Sequence, residues 1–526
     1  MQQQDLPLWA LSAREMSQQI NAEPHLAKEV LQHYRSRSEL VHGQLNTRVV
    51  DITSKPFEFP QAVSHELPLN APLCGVPISI KESIDYLDTP STAGVPSRQQ
   101  HRACETSPMV RVLEDAGAVV MCKTNVPEML MYLESDNPVY GCTFNPWDKA
   151  RTPGGSSGGE AAHIAAGGSV LGLGSDIGGS IRVPAHYSGI HGFKPTSHRL
   201  SLAGTVDEYM APGQEAIVDQ PGPMARHVDD LMLVMELLVQ RQLRRRSDAQ
   251  TPPVPFNIPA NLPQGLKVGF YLDDGFFPVS MGCQRVVSDA AQALQTMGIE
   301  VVPFSPPAVD EAMAIYFGIL AADGGRWADS WLRGDRHDHR LSKTVHIVRR
   351  SAWQRQLMSK VLCWFGQREM AAAVQRTGQT SLRHYWDLLE AQRSYTQSFR
   401  QAMRDQGIDL ILCPPAATPA LKHGASEFLS VVASASMLFN LLGFPAGVVA
   451  ASQVRPEETK LRKSSKDWVH KAAYETDLGS DGMPLGVQVV GDLWQDGMVL
   501  RMMQMLEGHF KQQEDYPVAP WRSLPF

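Results

Sequence analysis

Apolar side chains alternate along the chain at Val76, Ile78 and Ile80, and this period of two predicts a short strand that ends at Lys81. In an open α/β sheet the strand end is where functional groups are presented. Residues 12–45 read as two helices, the first opened by the capping box Ser12-Ala13-Arg14-Glu15. Residues 110–117 predict a helix feeding a strand over 118–123. Residues 228–240 predict a helix followed by a loop over 241–265 that begins basic and carries Pro252, Pro253, Pro255, Pro259 and Pro263. Further on, 266–272, 283–297 and 299–304 suggest strand, helix and strand, 381–407 a long helix and 408–413 a strand. Strands interleaved with helices predict the α/β class, and no internal repeat interrupts the pattern.

Two stretches depart from this rhythm. Residues 428–454 carry no charge, but Ser430, Ser434, Ser436, Asn440 and the Gly443-Phe444-Pro445 break favour a buried helix, a turn and a strand over a transmembrane span. Residues 341–368 carry Lys343, Arg349, Arg350, Arg355, Lys360 and Arg368 with no acidic residue, interleaved with Trp353, Leu357, Val361, Trp364 and Phe365. Basic and aromatic faces on a helix are the pattern of peripheral membrane contact. A helical hairpin over the core or a homodimer contact is the alternative.

With 526 residues and a net charge of −7, and an isoelectric point near 6.2, the chain is a large acidic enzyme-sized protein, which argues against nucleic acid as a partner. Its seven cysteines are dispersed without C-x-x-C spacing, which suits a reducing, cytoplasmic compartment. The N-terminus is polar, and neither a signal peptide nor an 18-residue apolar run is expected. His337-Asp338-His339 is the densest metal-like cluster, yet its charged surroundings read as a solvated loop. Neither metal nor cofactor is expected.

The candidate chemistry lies between Pro153 and Pro195. Ser156 sits in Gly154-Gly155-Ser156-Ser157-Gly158-Gly159, and Ser180 follows Asp176-Ile177-Gly178-Gly179. Glycine around a serine lets a substrate approach the backbone, as a nucleophile beside a main-chain oxyanion hole requires. The Ile, Val, Leu and Phe interspersed through the segment speak against a flexible linker. Gly154–Gly158 fits G-x-S-x-G, but the preceding Asn145-Pro146-Trp147-Asp148 reads as loop where an α/β-hydrolase elbow needs a strand. Gly172-Leu173-Gly174 lacks the third glycine of a dinucleotide site, where Ile177 stands.

The Gly75-Val76-Pro77-Ile78-Ser79-Ile80-Lys81 strand, the Ser156 cluster and the Ser180 cluster together resemble the amidase signature family. Lys123-Thr124-Asn125, Gly192-Phe193-Lys194-Pro195 and Gly222-Pro223-Met224-Ala225-Arg226 extend the likeness over most of the chain. The resemblance implies one large domain, a twisted mixed sheet with helices on both faces, spanning residues 1–526. Within it, 12–45 would be a helical segment, 70–240 the catalytic core and 341–368 a cap. It implies a Ser-Ser-Lys triad of Lys81, Ser156 and Ser180 and a cis Gly155–Ser156 peptide. Ser180 is then the nucleophile and Ser156 the relay to Lys81 as base. A free lysine titrates near ~10.4, so a base that is neutral at physiological pH needs burial or a neighbouring cation. The N–H groups of Ile177, Gly178, Gly179 and Ser180 would hold the oxyanion, with Ser157, Asp176 and Arg182 supporting the loop.

Asn125-Val126-Pro127, Ile177 and Phe444-Pro445-Ala446-Gly447 look nearest to the fatty acid amide hydrolases. That likeness places Leu130 and Met131, with Tyr132 close by, along an acyl channel. The function expected is serine hydrolysis of hydrophobic carboxamides through an acyl-enzyme, releasing acid and amine or ammonia. Alternatives are a glutaminase like those of the tRNA-dependent amidotransferases, working with a partner, an amidase of short or aromatic amides, and a catalytically silent binding protein. Ile177, where the amidotransferases usually have threonine, speaks against the first, and the presence of Lys81, Ser156 and Ser180 against the last.

Overall fold

The computed structural model describes residues 10–54, 70–245, 250–332 and 337–518. Its strands are β1 (Arg48–Asp51), β2 (Pro77–Lys81), β3 (Val119–Thr124), β4 (Asp136–Asn137), β5 (Gly141–Cys142), β6 (Leu171–Asp176), β7 (His191–Lys194), β8 (Gln220–Ala225), β9 (Lys267–Phe270), β10 (Glu300–Pro303), β11 (Leu410–Cys413), β12 (Ala446–Gln453) and β13 (Pro484–Gly491). Eleven of them form one mixed sheet in the order β1-β3-β2-β6-β8-β7-β12-β13-β11-β9-β10. The β3/β2, β2/β6, β11/β9 and β9/β10 pairs are parallel and the others antiparallel.

The middle of the sheet is buried on both faces: every residue of β2, β6, β8 and β13 is inaccessible. That explains why these strands mix Gly, Pro and Val without a solvent face, as strands covered on both sides do. Register shows the two layers. Gly447 pairs with Val489 and Gly486 with Ala450, so the two glycines point to opposite sides. A Cβ on Gly447 would meet Met503 of the helix Asp496–Phe510, and a Cβ on Gly486 would approach His186 of the helix Arg182–Ser188.

Most predicted elements are present within a residue or two. The capping box at Ser12 is formed in both directions, opening the helix Ala13–Ala22 ahead of Leu26–Leu45. The uncharged stretch folds as the buried helix Ser434–Leu441, a turn and β12. The helix expected over 228–240 runs on to Arg245, so the basic run begins as its last turn. Part of the expected loop, 246–249, lies outside the described residues, as do 1–9 of the polar N-terminus and 519–526. Residues 341–368 fall on the helices His339–Val348 and Ala352–Trp364 and the first residue of Arg368–Arg376. Among the described residues no helix is long and apolar enough to cross a membrane.

Candidate active site

Lys81 ends β2 and is fully buried. Its Nζ lies 2.8 Å from Ser156 Oγ and 2.7 Å from Ser175 Oγ, to both of which it can donate. Ser156 stands in a loop with no strand before it, and the Gly155–Ser156 peptide is cis. Gly155 is required by proximity: a Cβ there would sit 2.3 Å from the Tyr132 carbonyl oxygen. Ser157 N–H donates to the Ser180 carbonyl at 3.1 Å, tying the two serine segments together. Among the described residues Ser180 Oγ has no hydrogen-bond partner, so the expected Ser156–Ser180 step of the relay is not closed in the free site. Such bonds are often long before substrate arrives.

The loop after β6 is set by one buried ion pair. Asp176 receives Gly179 N–H at 2.8 Å and Ile181 N–H at 3.1 Å, and Arg182 donates Nε at 2.9 Å and a terminal nitrogen at 2.8 Å to its two oxygens. Arg182 also donates to Gln488 at 2.8 Å and Asn440 at 2.6 Å, while Asn440 donates to the Asp176 carbonyl at 2.8 Å. Burial opposes ionisation of Asp176, but the Arg182 charge and its hydrogen bonds override it and hold the carboxyl well below the usual carboxylate range. Gly179 takes φ +103°, and a Cβ there would meet Ser436 and Val183 at 2.9 Å, so only glycine fits this turn. Tyr316 Oη donates to the Ile177 carbonyl at 3.0 Å. With that carbonyl held and Gly179 N–H engaged, the N–H groups of Ile177, Gly178 and Ser180 have no protein partner among the described residues.

Ser180 is 6% exposed, Ser156 1% and Lys81 not at all. Of the three, Ser180 alone lines the large cavity, together with Ile177 and Gly178. The cavity measures about 310 Å³ and is walled by Leu130, Met131, Tyr316, Val345, Val374 and Met437. That is within the ~300–1,000 Å³ range of small-molecule sites. Tyr132 also lines it, and its hydroxyl lies 2.7 Å from Thr344 Oγ1 on the His339–Val348 helix.

The family model described as Amidase matches residues 29–500. The chain belongs to the amidase signature family. It is 32% identical over 488 residues to fatty acid amide hydrolase 1 of Caenorhabditis elegans, covering 91% of this chain and 84% of that one. It is 35% identical over 442 residues to fatty-acid amide hydrolase 1 of Sus scrofa, covering 83% and 75%. A solved fatty acid amide hydrolase superposes with a TM-score of 0.80 at 28% identity, covering 95% of this chain and 85% of that one. The enzyme is therefore a hydrolase of carboxamide C–N bonds.

Several site residues carry no signal that the sequence alone reveals. Ser175 lies in the same glycine-rich segment but looks like an ordinary strand residue. Tyr316, Asn440 and Gln488 come from distant elements with no local signal. Glu160 is fully buried and accepts hydrogen bonds from Ser79 and Thr124 beside the Lys81 strand. Burial pushes its carboxyl up to about 7 against those hydroxyls. The His337-Asp338-His339 expectation needs correcting. His337 Nδ1 lies 2.8 Å from Glu128, whose other oxygen receives Asp338 N–H at 2.6 Å, and Asp338 pairs with the buried Arg340. Two of the three residues are thus held in an ion-pair network, because buried Glu128 and Arg340 recruit them. His339 is the solvated one, with its side chain 69% exposed.

Proposed function

We propose that the enzyme hydrolyses amides of long, hydrophobic acyl chains, with Ser180 as nucleophile, Ser156 as relay and Lys81 as base. The observation that carries this is that Ser180, beside unpartnered main-chain donors, opens onto an apolar cavity. The names of the relatives support the same class. In the acylation step Ser180 Oγ attacks the carbonyl carbon as its proton passes to Ser156, whose own proton passes to Lys81. The oxyanion draws on the N–H groups of Ile177, Gly178 and Ser180, each worth about 10²–10³ in rate. Gly179 contributes by fixing the loop, since its N–H is bound to Asp176. Collapse of the tetrahedral intermediate breaks the C–N bond, and the amine leaves with a proton returned from Lys81 through Ser156. Water then hydrolyses the ester by the same route, releasing the acid. Ser157 and the Asp176–Arg182 pair keep the loop in place.

Leu130 and Met131 would contact the acyl chain. A series of amides of increasing chain length tests this. Each buried methylene is worth ~0.8 kcal/mol, so kcat/KM should rise about fourfold per methylene until the cavity is full. A flat series, or one that favours acetamide-sized or aromatic amides, would move the substrate class.

We further propose that 341–368 forms a cap that rests on a membrane surface, with the enzyme peripheral in a reducing, cytoplasmic compartment. Trp353, Leu357, Val361 and Trp364 share one face of the Ala352–Trp364 helix, at 66%, 55%, 47% and 82% exposure, and Phe365 follows at 63%. Lys360 lies exposed beside them. All seven cysteines are free, consistent with that compartment. Co-sedimentation with anionic phospholipid vesicles should capture the wild type and lose most of the Trp353→Ala/Trp364→Ala double variant. No binding, with a dimer that the double variant dissociates, would assign the stripe to a second copy of the chain.

A further inference from the structure

The neighbourhood of Lys81 holds a carboxylate that the triad does not use. The helix Val206–Met210 brings Asp207 against Ser175, whose hydroxyl donates to Asp207 Oδ2 at 3.2 Å. Ser175 Oγ is also 2.7 Å from Lys81 Nζ. A carboxylate can only accept, and a serine hydroxyl has one proton. The Ser175 proton is therefore committed to Asp207, and its oxygen must accept from Lys81. A neutral Lys81 that donates to Ser175 turns its lone pair to the remaining partner, Ser156 Oγ at 2.8 Å.

We propose that Asp207 is a positioning residue for the base: through Ser175 it aims the lone pair of Lys81 at Ser156 and balances the ammonium formed when Ser180 attacks. This rests on the assignment of Lys81 as base. Among the described residues Lys81 interacts with Glu160 on the helix Gly158–Ala165 and Asp219 ahead of β8, and through Ser175 with Asp207 on its short helix; Asp176 follows Ser175 at the end of β6. Asp176 is neutralised by Arg182. Burial, with Asp207 beside it, pushes the Asp219 carboxyl well up. One oxygen of each, Oδ1, is buried without a partner among the described residues, as two adjacent carboxyls leave it. Tyr209, on the same short helix, also feels Asp207. Nothing in the Ser-Ser-Lys relay itself requires a carboxylate here.

The test is the pH profile of Ser180 labelling by a fluorophosphonate, read by mass spectrometry between pH 5.5 and 9.5, alongside amide hydrolysis. Asp207→Asn keeps an acceptor but removes the charge. Its rising limb should move about one unit to lower pH, because the ammonium form loses its counter-ion, and its plateau should fall at least tenfold. Asp219→Asn leaves the Asp207–Ser175–Lys81 chain of hydrogen bonds in place and should move the limb less than Asp207→Asn. Ser175→Ala, which cuts the link but keeps the charge, should lower the plateau with a smaller movement of the limb. Melting curves identify any variant that fails to fold, and the Ser175 variant then carries the test. A limb set by Glu160 would stay put in Asp207→Asn and would overturn the inference. So would a reduced rate with an unmoved limb, which is what a structural role predicts. Wild-type labelling at a residue other than Ser180 would instead sink the triad, and this inference with it.

Discussion

Replacing Ser180 by alanine should abolish amide hydrolysis, by about 10⁴-fold or more, while leaving the protein folded. The size of the loss follows from removing the nucleophile, which leaves only binding and main-chain donors to act on a bound water. The small structural cost follows from the site. Ser180 Oγ has no hydrogen-bond partner among the described residues and borders the cavity, so alanine removes one oxygen without stranding a buried group. Ser156→Ala should be less severe, roughly 10²–10⁴ in kcat, because the nucleophile remains and only its proton path is cut. Ser156→Ala losing more than Ser180→Ala would reverse the two roles. Initial rates with an acyl amide, together with melting curves, measure both effects.

Arg182→Met should cost about 3–5 kcal/mol of stability and most of the activity, the largest structural penalty expected of any single change at the site. The substitution leaves Asp176 charged and buried, and also strips partners from Asn440 and Gln488. The loop bearing Gly178, Gly179 and Ser180 then loses the anchor that orients its N–H groups. The sign of the pH dependence follows from the depressed folded-state value of Asp176. Its ordinary value is 3.8, so its contribution is fully present above that and is lost as pH falls towards the lower folded value. Wild-type urea midpoints should therefore fall below about pH 4, and Arg182→Met should lose this part of the acid dependence. An Arg182→Met protein with wild-type midpoints would mean that the pair contributes nothing to the fold.

What the sequence disclosed follows the range of the forces involved. Lys81 was legible because strand alternation is local, and the Ser12 cap because a capping box spans four residues. Asp176 and Arg182 could be foreseen as partners because they flank Ser180 only six positions apart. Their other anchors could not: Gln488 lies 306 positions from Arg182 and Asn440 264 positions from Asp176. Only the assembled sheet and the helix Ser434–Leu441 bring them together. Tyr316 and Asp207 were invisible for the same reason. The His337 loop reads wrongly from sequence because charge density alone looks solvated, whereas buried Glu128, 209 positions away, and the neighbouring buried Arg340 draw His337 and Asp338 in. The apolar stripe on Ala352–Trp364 was legible because interleaved basic and aromatic residues at helical spacing are a local pattern.

The assignment of Ser180 as nucleophile of a lipid amidase is decided by intact-protein and peptide mass spectrometry of the enzyme trapped during turnover of an oleoyl amide, with a lipophilic fluorophosphonate in parallel. The mechanism predicts an oleoyl ester and a phosphonyl adduct on the same residue, Ser180, both absent from Ser180→Ala. An adduct on Ser156 or Ser157, or undiminished turnover by Ser180→Ala, would contradict it.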